Sequence, residues 1–477
     1  MGGSAATSTG TGTGSSGTGG AGTGASGTGT SGTASSGTAG GGGASGTSSN
    51  TSSSGSSSGS GSGSSSGSGS SSGAGGATPV TFAQGCNGAH TSVTGVVYAP
   101  NATDPIPNVR VYDAKMINPY PVNYCDKCSA PIDPAWVSTI SAANGSYTLL
   151  LDDVPQTASI DFAIQIGRFR KHTTLAVTPC QTTTPPLADE TLPGNSTAGD
   201  IPHIAVSSGN VDHLDAVLSE LGITEYDCYE GRKTAGASTS TCNQVAGKVI
   251  ADVIQDPTQL DPYNMLFLSC APDAYAYFIT NHNQATMTLN TQNWVAAGGR
   301  MFVTDTAYDY ISQAFPSGIT WAGPAGAPQP VDGANTGCAP AGPNGGSAHT
   351  VAYNVTIDDP LLAQWLQVGV HILPPFSPSP PTVSIEGFYQ PWSVISAVPP
   401  ASSLIADGTL PIDPTFNTSM CAAPTMKDVP LTAQFDVPTC GRVVFSSYHT
   451  YSAGGNSSIA QQKIMEYLIF AAAFCHA

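Results

Sequence analysis

Hydrophobic and polar positions divide the chain into three stretches of different character. Residues 1–77 show no apolar periodicity at all. From Thr78 to about Pro186 the pattern is of short β-rich runs broken by turn residues. Thr91–Tyr98 (TSVTGVVY) and Val109–Tyr112 (VRVY) alternate apolar and polar positions. Asn144-Gly145 leads into Ser146–Leu151 (SYTLLL), and Asp161–Ile166 (DFAIQI) follows. Alternation places one face of each run inward, and Asn-Gly between such runs is a hairpin-type turn signal. The spacing predicts a small antiparallel β-sandwich over residues 78–190.

Around Ile201 the period changes. Ile201–Val206 (IPHIAV) is a buried-strand run, followed by the polar loop Ser207-Ser208-Gly209-Asn210. In Val211–Leu221, residues Val211, Leu214, Val217, Leu218 and Leu221 share one helical face, and Gly222 follows as a stop. A second unit has the run Tyr263–Cys270 (YNMLFLSC), the helical segment Thr291–Ala297, the terminator Gly298-Gly299 and the strand Arg300–Thr304 (RMFVT). Gly441–Ser446 (GRVVFS) gives a late strand, and an apolar helix over Ile459–Phe474 closes the chain. Strands alternating with helices predict an open, mostly parallel α/β sheet of flavodoxin-like type over residues 198–477. A long insertion, about residues 314–440, carries Asp358-Asp359 and the Pro-rich stretch Pro374–Pro381. Such an insertion is expected to cover one face of the sheet or form a contact surface. The whole therefore reads as a multi-domain chain.

Composition sharpens each part. Residues 1–77 are almost entirely Gly, Ser, Thr and Ala and carry no charge. With nothing to bury, they cannot offset the backbone entropy of ordering, and they read as a disordered tether with an r.m.s. span on the order of 50 Å. All 13 basic and 31 acidic residues fall in the remainder, a net charge of −18. This argues against nucleic acid and against electrostatic attachment to anionic lipid. No run of about 18 apolar residues occurs, so no transmembrane helix is expected. Met1-Gly2-Gly3-Ser4 matches neither a signal peptide nor the myristoylation pattern, since position 6 is Ala6. The expectation is a signal peptide and lipidated cysteine upstream of Met1, the membrane being reached only through that anchor. Seven Asn-x-Ser/Thr sequons, Asn195 and Asn354 among them, matter only in a eukaryotic host.

Eleven cysteines point to an oxidising, extracytoplasmic compartment. Cys86, Cys125, Cys128, Cys180, Cys228, Cys242, Cys338, Cys421, Cys440 and Cys475 are the disulfide candidates, and Cys270, ending an apolar run, is the candidate free thiol. Cys125-Asp126-Lys127-Cys128 is open to three readings: half of a zinc site, a redox pair, or structural disulfides. Zinc needs four ligands and no second Cys pair lies nearby; a redox pair wants a helix N-terminus in a βαβ unit. Disulfides are the preferred reading. Arg168, Arg170 and Lys171 form the densest basic cluster, read as a solvated face or an ion-paired one, with anion binding as the sharper alternative.

Three resemblances rest on these residues. The order TGVVYAPNATDPIPNVRVYDAK … AANGSYTLLLDDVP resembles the carboxypeptidase-regulatory-like, prealbumin-type β-sandwich and implies a binding or structural module. YNMLFLSC … WVAAGGRMFVTD … GRVVFSSYHTY resembles the class I glutamine-amidotransferase-like fold. That resemblance implies a nucleophilic cysteine at the elbow after the Gly-Gly strand and a late His followed by Glu. Here the elbow reads Val303-Thr304-Asp305-Thr306 and the late strand Tyr448-His449-Thr450-Tyr451, so the His is kept while nucleophile and acid are missing. A triad fails without its nucleophile, and the domain reads as catalytically degenerate. Across nearly all of residues 78–477, YCDKCSA, IQIGRFRKH, LPGNSTAGDIPHIAVSSGNVDHLDAVLSELGI and CGRVVFSSYHTYS together resemble a group of myxobacterial surface proteins with lipoprotein-like tethers. That likeness implies a cell-envelope location but names no activity.

The sequence thus favours a surface-tethered binding or structural protein, with no cofactor or metal assigned and no partner identified. The alternative is a hydrolase or metal-assisted enzyme whose site would join His449 with Asp305 and Asp309 at the strand C-terminal edge. Cys270 also lies at a strand end, where open sheets bind ligands, but nothing in the sequence assigns it a His partner. Burial of His449 against the insertion would count against an enzyme, and an open pocket would count for one.

Overall fold

A computed structural model describes residues 80–121, 124–209, 212–231, 244–271, 274–324, 326, 328–338, 351–374, 380–388, 391–413, 421, 424–450 and 459–475. The tether and Cys242 lie outside the described residues.

The first strands fall where alternation predicts them, at Ser92–Val96, Arg110–Ala114, Ser146–Leu150 and Ser159–Ile166. They build two small sheets. One pairs Ser92–Val96 antiparallel with Ser146–Leu150 and, briefly, parallel with Thr182–Thr183. The other runs in the order Ala135–Ile140, Arg110–Ala114, Ser159–Ile166, Phe169–Ala176. Inward residues of both meet in a shared core, with the Tyr147 and Phe162 rings 6.1 Å apart. Gly145 sits at φ +72°, the left-handed turn that Asn-Gly signals.

The second part is organised by a large sheet of twelve strands among the described residues. Six are consecutive and parallel: Gln244–Val249, Asp227–Glu230, Ile204–Ser208, Met265–Leu268, Arg300–Thr304 and Arg442–Ser446. Alternate residues face opposite sides. Phe267, Phe302 and Val444 join the core beneath the closing helix Ile459–Ala473, whereas Leu266, Val303 and Phe445 join the core on the other face. Burial on both faces explains why the central strands Met265–Leu268, Arg300–Thr304 and Arg442–Ser446 are apolar runs rather than alternating ones.

Beyond Arg442–Ser446 the sheet changes character, and "mostly parallel" is corrected to mixed. The insertion does not merely cover a face: its strands Thr425–Asp436 and Ser402–Ile412 pair antiparallel and extend the sheet itself. Val429, Leu431, Ala433 and Phe435 are buried at every second position, the first two in the core beneath the closing helix and the last two in the core on the other face. Pro411 and Pro430 mask this pattern, because proline cannot donate to a ladder. Pro430 is accommodated beside a register shift at Ala406/Asp407.

Cysteine chemistry then ties the two parts together. Cys86–Cys180 closes the first part on itself, and Cys338–Cys421 closes the insertion. The Cys-x-x-Cys pair forms neither a local bridge nor a metal site: Cys125 bonds Cys440 and Cys128 bonds Cys475. Each closes a span of more than 300 residues (315 and 347), yet the second bridge constrains a loop the first has already closed. Its added entropic effect on the unfolded chain is correspondingly small. Cys228 is also disulfide-bonded, and Cys270 is a buried free thiol. Several disulfides place the chain in an oxidising environment. No helix among the described residues is long and apolar enough to cross a membrane.

Polar anchors complete the join. Helix Ile459–Ala473 ends with carbonyls that need donors, and two buried arginines from the sheet supply them. Arg300 donates to Ala472 and Phe474 oxygens at 3.1 and 2.8 Å, and Arg442 to Ala471 at 3.0 Å. The basic cluster separates in space. Arg170 is buried, donating to Asp133 and Asp200 at 2.7 Å, whereas Lys171 reaches the Ala188 carbonyl and Arg168 that of Pro121. Arg170 thus serves an internal ion pair.

Replacing Arg170 by Met leaves Asp133, fully buried, without its cation. Guanidinium unfolding with disulfides intact is expected to show a loss of about 3–5 kcal/mol. Arg170→Met combined with Asp133→Asn should recover most of it.

Candidate functional site

Three adjacent parallel strands end side by side. Met265–Leu268 pairs with Arg300–Thr304, which pairs with Arg442–Ser446. Their C-terminal ends deliver Cys270, Asp305 and His449, one residue from each. One ligand atom from each lies within 4.8 Å of the other two. His449 and Asp305, brought together from the sequence alone, are thus neighbours, and Cys270 has a His beside it after all. Asp309 lies outside this group. Its carboxylate accepts the Asp332 amide at 3.0 Å and the Ser312 hydroxyl at 3.2 Å.

Local backbone explains why Asp305 reaches the centre. It follows the last residue of its strand at φ +41°, a left-handed conformation that costs a non-glycine residue roughly 1–2 kcal/mol. Such a turn between strand and helix throws the side chain up from the sheet edge, as a nucleophile elbow does. A short 3-10 turn, Asp305–Tyr308, and helix Asp309–Ala314 follow.

The carboxylate is fully engaged. Asp305 Oδ2 lies 2.9 Å from His449 Nε2 and 3.5 Å from Cys270 Sγ, and Oδ1 accepts the Ser393 amide at 2.6 Å. His449 Nδ1 lies 2.6 Å from the Gly387 carbonyl, so this nitrogen carries a proton and donates it. Gly387 can present that carbonyl because it turns at φ +84°. The Thr306 hydroxyl sits 3.1 Å from Cys270 Sγ.

A second layer fixes these three. Buried Asp212 accepts from the Thr304 hydroxyl and from the amide and hydroxyl of Thr450, tying together residues that flank Asp305 and His449. Thr304 Oγ1 in turn accepts the Cys270 amide at 2.9 Å. Gln461, on the closing helix, donates to the His449 carbonyl and accepts the Glu386 amide. Asp212, Thr304, Gly387, Ser393 and Gln461 were not singled out from sequence. Only Asp212, an acidic residue in a loop after a buried strand, offered a signal.

Burial dominates the electrostatics. His449 and its Asp305 partner are 0 and 1 % exposed, and Cys270 is equally enclosed. Burial, aided by the Asp305 charge, pushes the Cys270 thiol up to about 11, so it is protonated at neutral pH. Burial also opposes charge on His449, but Cys270 and Asp305 hold its pKa well above the ordinary imidazole value.

A cavity of about 460 Å³ lies away from these three residues, between the first part and the sheet, lined by Arg110, Asp126, Lys127, Gln165, Arg442 and Phe474, among others.

No family model matches the chain, and no curated protein matches it. Among solved structures, a cytoplasmic protein from Salmonella typhimurium aligns over 57% of this chain and 98% of its own, at 8% identity and a TM-score of 0.29. That likeness is too slight to bear on function.

Asp309 offers a pH test separate from the three-residue centre. Burial raises its pKa from 3.8 to about 7. The folded state therefore holds this proton more tightly than the unfolded chain, and stability falls as pH rises from about 4 to about 7. Asp309→Asn keeps an acceptor oxygen and removes the titration. Denaturation between pH 4 and 8 should show a shallower decline for the variant, by up to a few kcal/mol across the window.

Proposed function

We propose that this chain is an extracytoplasmic, surface-tethered binding or structural protein in which an amidotransferase-like centre has been closed. The observation that carries the reading is the sealing of Cys270, Asp305 and His449 under the insertion, through the Gly387 carbonyl and the Ser393 amide. A nucleophile must meet substrate as well as base. Here the elbow carries Asp305, pinned by two partners, and the neighbouring thiol is protonated and enclosed.

The disulfides support an envelope location, as does the resemblance to lipoprotein-like surface proteins. In this reading the first part is the prealbumin-type module. The bridges from Cys125 and Cys128 then hold it against the α/β part as a fixed head suited to display rather than turnover.

A second reading, a cysteine hydrolase with the insertion as its cover, is favoured by the convergence of thiol, imidazole and carboxylate. The two separate by reactivity. In the first reading, iodoacetamide leaves Cys270 unmodified in the native protein and alkylates it fully in denaturant without reductant. Amide and ester substrates should show no turnover that Cys270→Ala removes. Native alkylation, or turnover abolished by that substitution, would support the hydrolase.

A further inference from the structure

We propose that Cys270, Asp305 and His449 form a closed binding site for one divalent transition metal ion of the zinc class. A thiolate, a carboxylate and an imidazole are a donor set that zinc accepts, and each comes from a different strand end. The separations suit one ion. Zinc–sulfur and zinc–oxygen bonds of about 2.3 and 2.0 Å at a tetrahedral angle put sulfur and oxygen about 3.5 Å apart. Cys270 Sγ and Asp305 Oδ2 are 3.5 Å apart. The corresponding nitrogen–oxygen separation is about 3.3 Å, against 2.9 Å here between His449 Nε2 and Asp305 Oδ2.

Outer contacts are those a metal-binding imidazole needs. His449 Nδ1 donates to the Gly387 carbonyl, which orients the ring and leaves Nε2 facing Cys270 and Asp305. Asp305 Oδ1 is held by the Ser393 amide, leaving Oδ2 toward the centre. The Thr306 hydroxyl, beside the sulfur, supplies an oxygen for a fourth position. The divalent ion takes the place of the Cys270 thiol proton, which leaves to solvent, and binds the lone pair of His449 Nε2. Full enclosure marks it as structural, loaded while the chain folds. The inference goes beyond the proposed closed centre and rests on the same three residues.

The test unfolds the full-length protein in guanidinium with disulfides intact, refolds it with excess Zn²⁺ or Co²⁺, and removes unbound metal. The expected result is one metal per chain. The Co²⁺ form should show thiolate-to-cobalt charge transfer, and X-ray absorption of the Zn²⁺ form one sulfur at about 2.3 Å. Cys270→Ala should lose the charge-transfer band, and His449→Gln should weaken retention at least tenfold. The absorption spectrum of the wild-type chain decides the matter even where a variant folds poorly. Less than stoichiometric metal, or an ion with no sulfur in its shell, overturns the site. Metal-free protein with an inert Cys270 rejects the metal and keeps the closed, non-catalytic centre. Metal-loaded protein with Cys270-dependent turnover does the reverse.

Discussion

A buried imidazole needs polar neighbours at both ring nitrogens, and His449 has them at the middle of this fold, with Asp305 Oδ2 2.9 Å from Nε2 and the Gly387 carbonyl 2.6 Å from Nδ1. The rest of the α/β part is arranged around it. Three neighbouring parallel strands end close together, so that residues one to three positions past their ends converge. Asp212 fastens the loops that carry two of them, and the insertion supplies the last donor and acceptor through Ser393 and Gly387. Removing one member would leave a buried polar group unsatisfied, which costs more than the contact itself contributes. The centre is therefore cooperative. It joins the insertion to the sheet edge as well as the residues to one another.

That cooperativity also explains the large-scale architecture. The closing helix packs under the sheet, lends Gln461 to the centre at one end and receives Arg300 and Arg442 at the other. Directly after it, Cys475 bonds Cys128 in the first part. A continuous apolar core runs from Phe162 and Phe169 through Phe470 to Phe267 and Phe302. The two parts are thus joined by packing, by capped carbonyls and by covalent bonds, which leaves little scope for hinge motion between them.

Much of this was legible in residue patterns. Short alternating runs marked the first sheets, and apolar runs marked four of the six parallel strands to within a few residues, while Asp227–Glu230 and Gln244–Val249, polar in composition, gave no such signal. Arg300–Thr304 falls where its composition puts it. The pairing of His449 with Asp305 followed from placing both at strand ends. The Cys270 contact was hidden because strand order decides it: Met265–Leu268 neighbours Arg300–Thr304, and no local pattern encodes that adjacency. The antiparallel extension was hidden for a different reason, since Pro411 and Pro430 break the signature of the two strands that form it. Gly387 and Ser393 act through backbone groups, which every residue carries, so their role could not be read from side-chain chemistry.

The most direct test of the account is a crystal structure of the full chain with anomalous data locating sulfur and any bound metal. It should show Cys270 Sγ, Asp305 Oδ2 and His449 Nε2 within 4.8 Å of one another, with the Gly387 carbonyl on Nδ1 and no water-filled path to the sulfur. A solvent channel reaching Cys270, or His449 paired away from Asp305, would contradict it.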